Sequence, residues 1–240
     1  MDVAARLREL CELHALPAGS AERLLALLEL LATDPVAPTT VTDPAVAVDV
    51  HVADSLVALS CEPVRSARTI VDIGSGAGFP GLPLAIALPG SSVSLLESNG
   101  RKAEFLERAV KAIAVENTVV VRERAEDWPD GIGRFELACA RALAPLAVVA
   151  EYAAPLLAPR GSLVAWKGHR EPEEEESGLR AGAELGLMLE EIAQVRPFVT
   201  VEARHLYLMS KVRPTPSRFP RRPGVARKRP IGGPSDRERR

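Results

Sequence analysis

The densest chemistry in the chain lies between Thr69 and Gly81, T-I-V-D-I-G-S-G-A-G-F-P-G. Ile70, Val71 and Ile73 form an apolar run broken only by Asp72. Glycines follow at 74, 76, 78 and 81, before the helix-compatible run Leu82 to Leu88. Strand, tight turn and helix in that order make a ligand cradle, because glycines accept positive φ and admit a ligand to bare backbone. The amides that open the next helix face the same place and favour electron-rich groups. Glu97 ends the apolar run Val93 to Leu96, Glu126 follows the β-branched run Thr118 to Val121, and Arg141 follows Phe135 to Ala140. An isolated Asp or Glu is usually a solvated loop residue. Acids and a turn at successive strand ends form a set, since open α/β sheets bind ligands at the carboxyl ends of their strands.

Two cofactors suit these glycines. Gly76, Gly78 and Gly81 satisfy G-x-G-x-x-G, and Glu97 stands 19 residues beyond Gly78. That is the pattern of an NAD(P)-dependent oxidoreductase, with the acid on a ribose hydroxyl. The frame that begins at Gly74 reads D-I-G-S-G-A-G, with Asp72 two residues before the first glycine. A carboxylate there sits poorly beside a pyrophosphate and well beside an amino and a sulfonium group. This second frame points to S-adenosylmethionine. Glu97 then accepts from the ribose hydroxyls, Glu126 lies by the adenine, and Ala125 offers its backbone amide.

The elements that must position these residues follow from periodicity. Residues 3–32 read as two short helices, with Leu7, Leu10, Leu13 and Leu16 on one face and Leu24, Leu25, Leu27, Leu28 and Leu31 on the other. Pro17, Gly19 and Ser20 separate them, Ser20 as N-cap. Thr33 to Pro44 is a Pro/Thr/Asp-rich loop. Ala45 to Ser60 reads as a helix with Val48, Val52, Leu56 and Leu59 on its apolar stripe, while His51, Asp54 and Ser55 share a neighbouring face. Helices are expected over Asn99 to Val115, Pro145 to Leu157 and Leu179 to Leu189, with Glu171 to Glu176 a solvated acidic run. Strands are expected at Gly161 to Lys167, then Ile192 to Val201 and His205 to Val212 as an antiparallel closing pair. The fold class is α/β: a Rossmann-like, mostly parallel sheet with its last strand antiparallel, behind an N-terminal helical extension. The expected division is a helical cap over 1–62, the Rossmann-like domain over 63–212 and a basic Pro/Arg-rich tail over 213–240.

The chain has 240 residues, 47% of them hydrophobic, enough for one sizeable α/β domain with additions. No stretch approaches the ~20 apolar residues of a membrane span. Cys11, Cys61 and Cys139 are far apart, and His14, His169 and His205 lack ligand spacing, so neither a disulfide framework nor a metal site is expected. This cysteine usage suits a reducing cytoplasm. The net charge of −2 hides an asymmetry, because Arg213 to Arg240 holds ten Lys/Arg against Asp236 and Glu238. A tail of +8 on a body of −10 suits a polyanionic partner. With six prolines and no periodic apolar face, this tail reads as extended and disordered when free.

The run D-I-G-S-G-A-G-F-P-G-L-P-L-A resembles the glycine motif of the small-subunit ribosomal RNA guanine-N7 methyltransferases, the glucose-inhibited division protein B family. H-V-A-D-S-L at 51–56, R-A-E-D-W at 124–128, A-R-A-L-A-P-L at 140–146, W-K-G at 166–168 and the tail R-F-P-R-R-P-G-V-A-R-K-R-P-I agree in order and spacing. The resemblance covers roughly residues 7 to 231. The chain departs from it at T-V-T (Thr40 to Thr42), where the family carries asparagine-leucine-threonine, and at Val50, where arginine or lysine is common. The resemblance implies cofactor contacts at Gly74, Phe79, Ala125, Glu126 and Arg141, with Glu97, Ser98 and Asn99 around the ribose. It implies as substrate a guanine in the decoding-region (530) loop of 16S ribosomal RNA, methylated at N7, in the 30S subunit or its assembly intermediate, by a cytoplasmic monomer.

The residues are compatible with that acceptor. Exocyclic amine methylation commonly uses an N/D-P-P-Y loop, and Ala140 to Leu143 reads A-R-A-L instead. Pyrimidine C5 methylation needs a nucleophilic cysteine, and Cys139 lies inside an apolar strand with no activating base. Guanine N7 carries an exposed lone pair, so proximity and orientation suffice and no general base is assigned. Arg141 at its strand end can meet cofactor or substrate, and Lys167 the substrate. Arg218, Arg221, Arg222, Arg227, Lys228 and Arg229 are expected to follow a phosphate backbone with steep salt dependence. A non-catalytic RNA-binding ribosome-assembly factor on the same fold is the rival reading.

Overall fold

The computed structural model describes residues 2–201 and 203–232. Its contacts fall into two compact units. The first runs to residue 122 and takes in 196–202, and the second holds 123–195 with the residues from 203 onward.

In the first unit β1 (Thr69–Ile73), β2 (Ser92–Leu96) and β3 (Thr118–Val121) run parallel in the order β3-β2-β1. The register pairs Ile73 with Leu96 and Leu96 with Val121, so the three strands end level. Two helices from this part of the chain join the unit's core. α1 (Val3–Leu13) buries Leu7 and Leu10 of the expected stripe but leaves Leu13 exposed, and Leu16 lies beyond its end; α2 (Ser20–Thr33) buries Leu24, Leu27, Leu28 and Leu31, with Leu25 half-buried beside them. Gly19, in the left-handed region at φ 80°, is the N-cap of α2; Ser20 is its first helical residue. The following segment is not the single α-helix expected over Ala45 to Ser60. It is α3 (Pro44–Ala47), a π-helical stretch at Val48–Ala53, α4 (Asp54–Leu56) and a 3-10 turn at Val57–Ser60, followed by α5 (Glu62–Ser66). Ser55 Oγ donates to the His51 carbonyl at 2.6 Å, within this irregular segment, a local bond that competes with the regular helical ladder. π-Turns of this kind recur at functional sites.

The crossovers of the first unit are α6 (Gly81–Ala87) and α7 (Gly100–Ala112). Asn99 caps α7, its Oδ1 accepting the amides of Arg101 and Lys102 at 3.0 and 3.3 Å. Arg108 of α7 reaches Asp34 at the end of α2 with two guanidinium nitrogens, at 2.8 and 3.0 Å.

In the second unit β4 (Phe135–Arg141) pairs in parallel with β5 (Leu157–Lys167). β7 (His205–Lys211) lies antiparallel between β5 and β6 (Leu187–Gln194). The last strand is thus the antiparallel one, as the sequence predicts. α8 (Leu146–Leu156) is buried along its whole length. α9 (Pro172–Leu185) corrects the sequence reading, which began this helix at Leu179 and ran it to Leu189. Pro172 at the first turn and glutamates at 173, 174 and 175 complement the exposed amides of the helix start, so the largely solvated acidic run opens the helix. Gly186 at φ 85° ends the helix in a left-handed cap and releases Leu187 into β6.

A polar cluster ties α9 to β7. Arg170 grips both oxygens of Glu175 at 2.7 Å, and the Tyr207 phenol donates to the same carboxylate at 2.5 Å. The Arg170 hydrogen bonds hold the Glu175 carboxyl down at about 2, while burial and the Glu175 charge push the Tyr207 phenol up. Because the folded value lies below the unfolded one, the stabilisation is complete above about pH 4.5 and is lost as pH falls through about 2. The melting-temperature gap between the wild type and Glu175→Gln should therefore narrow steadily as the pH is lowered across that window. A gap independent of pH would contradict this.

Among the described residues no helix is long and apolar enough to cross a membrane. The segment read as an extended, disordered tail has partners through Gly232: α10 (Val225–Lys228) forms, Ala226 is fully buried and Arg180 donates to the Gly232 carbonyl at 2.8 Å. The remainder of that expectation, residues 233–240 with Asp236 and Glu238, lies outside the described residues.

Candidate cofactor and substrate residues

The glycine turn leaves β1 at Ile73 with Gly74, Gly76 and Gly78 at φ 73°, 55° and 94°, a path closed to ordinary side chains. Gly74 and Ser75 amides both donate to the Leu96 carbonyl, at 2.8 and 3.2 Å, which pins the turn to the end of β2. The glycines differ in what surrounds them. A Cβ at Gly78 would fall 2.3 Å from Leu82 Cδ1, and one at Gly81 would fall 2.3 Å from Leu95 Cδ2 and 2.7 Å from Asp72 Oδ2. At Gly76 the nearest atom is the Gly74 carbonyl oxygen at 3.8 Å, so that face of the turn is open. Gly78 and Gly81 serve packing, and Gly76 leaves space for a ligand.

Asp72 does not present itself to a ligand as the sequence suggested. It is 1% exposed, and its Oδ2 accepts the Gly81 amide at 3.0 Å while Ser75 Oγ donates to its carbonyl at 2.8 Å. It grips the turn through the Gly81 amide. Glu97 is the other carboxylate of this arrangement, 6% exposed. Its Oε2 accepts from the Gly76 amide at 3.1 Å and its Oε1 from the Asn99 amide at 2.8 Å, joining the turn to the start of α7. A carboxylate offers about four lone-pair directions, so each oxygen retains one for a hydroxyl. Ser98 and Asn99 are exposed beside it, with the Asn99 side-chain oxygen committed to the α7 cap. Phe79 is buried and its ring stacks on His51 at 4.6 Å between centroids and 18° between planes. His51 Nε2 lies 3.1 Å from Thr39 Oγ1. The π-helical stretch therefore carries the side chain that supports Phe79, a link the sequence motif H-V-A-D-S-L marked without explaining.

The second unit holds the remaining predicted residues. Ala125 is buried in a 3-10 turn over Ala125–Asp127, and Glu126 Oε1 accepts the Gly224 amide at 2.9 Å. Burial pushes the nearby Tyr152 phenol up, and the Glu126 charge adds to the effect. Arg141 ends β4 half-buried, in register with Trp166, and Ala142 after it is held at φ 52°, a costly conformation for a residue with a Cβ. Lys167 is less available than expected. Its Nζ donates to the Ala144 carbonyl at 2.9 Å and pairs with Glu174, whose Oε1 also accepts the Leu146 amide at 2.8 Å. Cys139 is fully buried in β4, away from any role as a nucleophile.

The six basic tail residues divide into two sets. Arg218 pairs with Glu184 at 3.0 Å, Arg221 with the buried Glu151, and Arg227 donates to the Leu143 carbonyl at 3.2 Å. Arg222, Lys228 and Arg229 are exposed and have no ion pair among the described residues. The sequence carried one sign of this division. Glu151 is the lone acid in the apolar run L-A-V-V-A-E-Y-A-A-P-L and must find a cation.

Comparison with known proteins places this arrangement. Residues 21–206 match the model of the GidB family, described as rRNA small subunit methyltransferase G. Relatives named Ribosomal RNA small subunit methyltransferase G include one from Rubrobacter xylanophilus, 41% identical over 189 residues, spanning 76% of this chain and 72% of that one. Another, from Bacillus subtilis, is 34% identical over 186 residues, spanning 76% and 78%. Among solved structures, a 16S rRNA (adenine(1408)-N(1))-methyltransferase from Catenulisporales acidiphilia matches with a TM-score of 0.53 at 17% identity, covering 64% of this chain and 89% of that one. Fibrillarin from Aeropyrum pernix, solved with natively bound S-adenosyl-L-methionine, matches with a TM-score of 0.52 at 14% identity, covering 66% and 72%. These likenesses show a Rossmann-like methyltransferase fold, mostly parallel with its last strand antiparallel. On the family match and the identities together, the chain belongs to the GidB family, rRNA small subunit methyltransferase G.

Proposed function

We propose that this protein methylates N7 of a guanine in the decoding-region loop of 16S ribosomal RNA, using S-adenosylmethionine and no general base. The observation that carries the cofactor assignment is Glu97. Each of its oxygens takes one backbone amide and keeps a free direction, which suits the two hydroxyls of a ribose, and the open face at Gly76 leaves room beside it. The residues present therefore fit the cofactor. When bound, it supplies a methyl group on a sulfonium for in-line displacement. The glycine turn, Phe79, Glu97, Ser98 and Asn99 would hold it; Ala125, Glu126 and Arg141 are assigned to it by the resemblance of R-A-E-D-W and A-R-A-L-A-P-L to the family's motifs. Asp72 acts through the turn, fixing the Gly81 amide.

N7 is an acceptor with a ready lone pair, so the protein's task is to hold the base in line and exclude other geometries. N7 faces the deep major groove of an RNA helix, so the target must be an accessible loop base. Among the described residues, Arg222, Lys228 and Arg229 are exposed tail cations without an ion pair and suit the phosphate backbone, in the 30S subunit or its assembly intermediate. Family membership and the exposed basic set support RNA as the substrate.

Calorimetric titration separates this reading from a dinucleotide-dependent oxidoreductase on the same glycines. S-adenosylhomocysteine should bind in the micromolar range and NAD(H) should give no heat of binding. Tight NAD(H) binding with no response to S-adenosylhomocysteine would overturn the proposal.

A further inference from the structure

The carboxyl-terminal segment does more than carry charge. Glu151 sits in the middle of α8, 1% exposed among apolar neighbours, a position where a carboxylate needs a countercharge. Arg221 supplies it with two nitrogens, Nε at 2.6 Å from Oε1 and Nη2 on Oε2, and Nη2 also donates to the Arg229 carbonyl at 2.9 Å. Phe219 is buried next to this pair, with the Arg218 and Arg221 guanidiniums 5.0 and 5.9 Å from its ring centre. Thr215 Oγ1 donates to the Ala154 carbonyl at 3.0 Å, a further tie to α8. The turn anchored in this way brings Gly224, at φ 80°, to donate its amide to Glu126 Oε1 at 2.9 Å. Three residues on, Arg227 donates to the Leu143 carbonyl, in the loop after Arg141. The segment thus touches both loops in the second unit to which cofactor contacts are assigned.

We infer that the carboxyl-terminal segment is a working part of the cofactor site: Arg221, seated on Glu151, holds the Gly224 amide against Glu126 and so fixes the carboxylate that meets the adenine. Arg221 is a positioning residue, acting through Gly224 and Glu126. The inference rests on the assignment of Glu126 to S-adenosylmethionine. It assigns the tail two duties, cofactor affinity through the docked set Arg218, Arg221 and Arg227, and RNA affinity through the exposed set Arg222, Lys228 and Arg229.

The test is a double-mutant cycle on the full chain, with S-adenosylhomocysteine affinity as the readout. Arg221→Ala should weaken binding by about tenfold, the scale of one hydrogen bond to a charged group. In a Glu126→Ala background the same change should weaken it by less than about twofold, because the group it positions is gone. Arg221→Ala strands the Glu151 charge, so the cycle is repeated with the Glu151→Leu/Arg221→Ala pair, which leaves none behind and should give the same two factors. Equal losses in both backgrounds would overturn the inference, since a merely structural role does not depend on Glu126. Unchanged S-adenosylhomocysteine affinity with weakened RNA binding would overturn it too. A wild-type protein that does not bind S-adenosylhomocysteine at all would sink the cofactor assignment itself, a separate and visible failure.

Discussion

Glu97→Ala should reduce S-adenosylhomocysteine affinity by about a hundredfold or more, because two hydrogen bonds to a charged acceptor are lost at ~1.5–3 kcal/mol each. The side chain also joins the glycine turn to the start of α7 by accepting the Gly76 and Asn99 amides. Removing it leaves both donors without that partner, so the melting temperature should fall as well, by a stability loss of about 1–3 kcal/mol. Glu97→Gln should rescue little. An amide has one acceptor oxygen where the carboxylate has two, and its NH2 would confront one of the two backbone N–H groups. Calorimetry and thermal melts on the three proteins check this. Affinity unchanged in Glu97→Ala would contradict the assignment of this carboxylate to the ribose.

Arg221→Ala should be the more damaging change for stability. It leaves Glu151 charged and buried in α8, and breaking a buried pair from one side costs about 3–5 kcal/mol. Replacing both partners removes the stranded charge, so Glu151→Leu/Arg221→Ala should recover most of that loss, to within about 1–2 kcal/mol of the wild type. Urea denaturation of the single and double variants measures it. A single variant as stable as the wild type would mean that the carboxylate has another route to compensation, and the anchoring role given to Arg221 would fail.

The two predictions rest on features of different legibility. The glycine turn, the strands around it and the carboxylate at Glu97 were readable because each depends on residues a few positions apart. Apolar runs, φ-permissive glycines and strand ends are local signals. The antiparallel last strand was readable for the same reason, from a short connection. What the sequence concealed depends on partners far along the chain. Arg221 meets Glu151 across 70 residues and Gly224 meets Glu126 across 98, so composition alone made the tail look like a free polycation. Asp72 shows a subtler limit. Its charge and position were plain, but burial turned it from a ligand group into a clasp on Gly81. The start of α9 is concealed for a chemical reason: E-P-E-E-E-E carries no apolar stripe, yet Pro at the first turn and acids against the helix amides are what a helix start requires. The irregular helix at Val48–Ala53 is not legible in the sequence because its apolar stripe fits an α-helix and a π-turn equally well.

Methyl transfer to guanine N7 is open to one direct measurement. Immature 30S particles lacking the modification are incubated with the wild-type protein and methyl-labelled S-adenosylmethionine in a single turnover, and the 16S RNA is then digested to nucleosides for mass spectrometry. The account predicts one label per particle, recovered as N7-methylguanosine from the decoding-region loop, and its loss with Glu97→Ala. Label on another atom or another base, or a protein that binds the cofactor and transfers nothing, would contradict it.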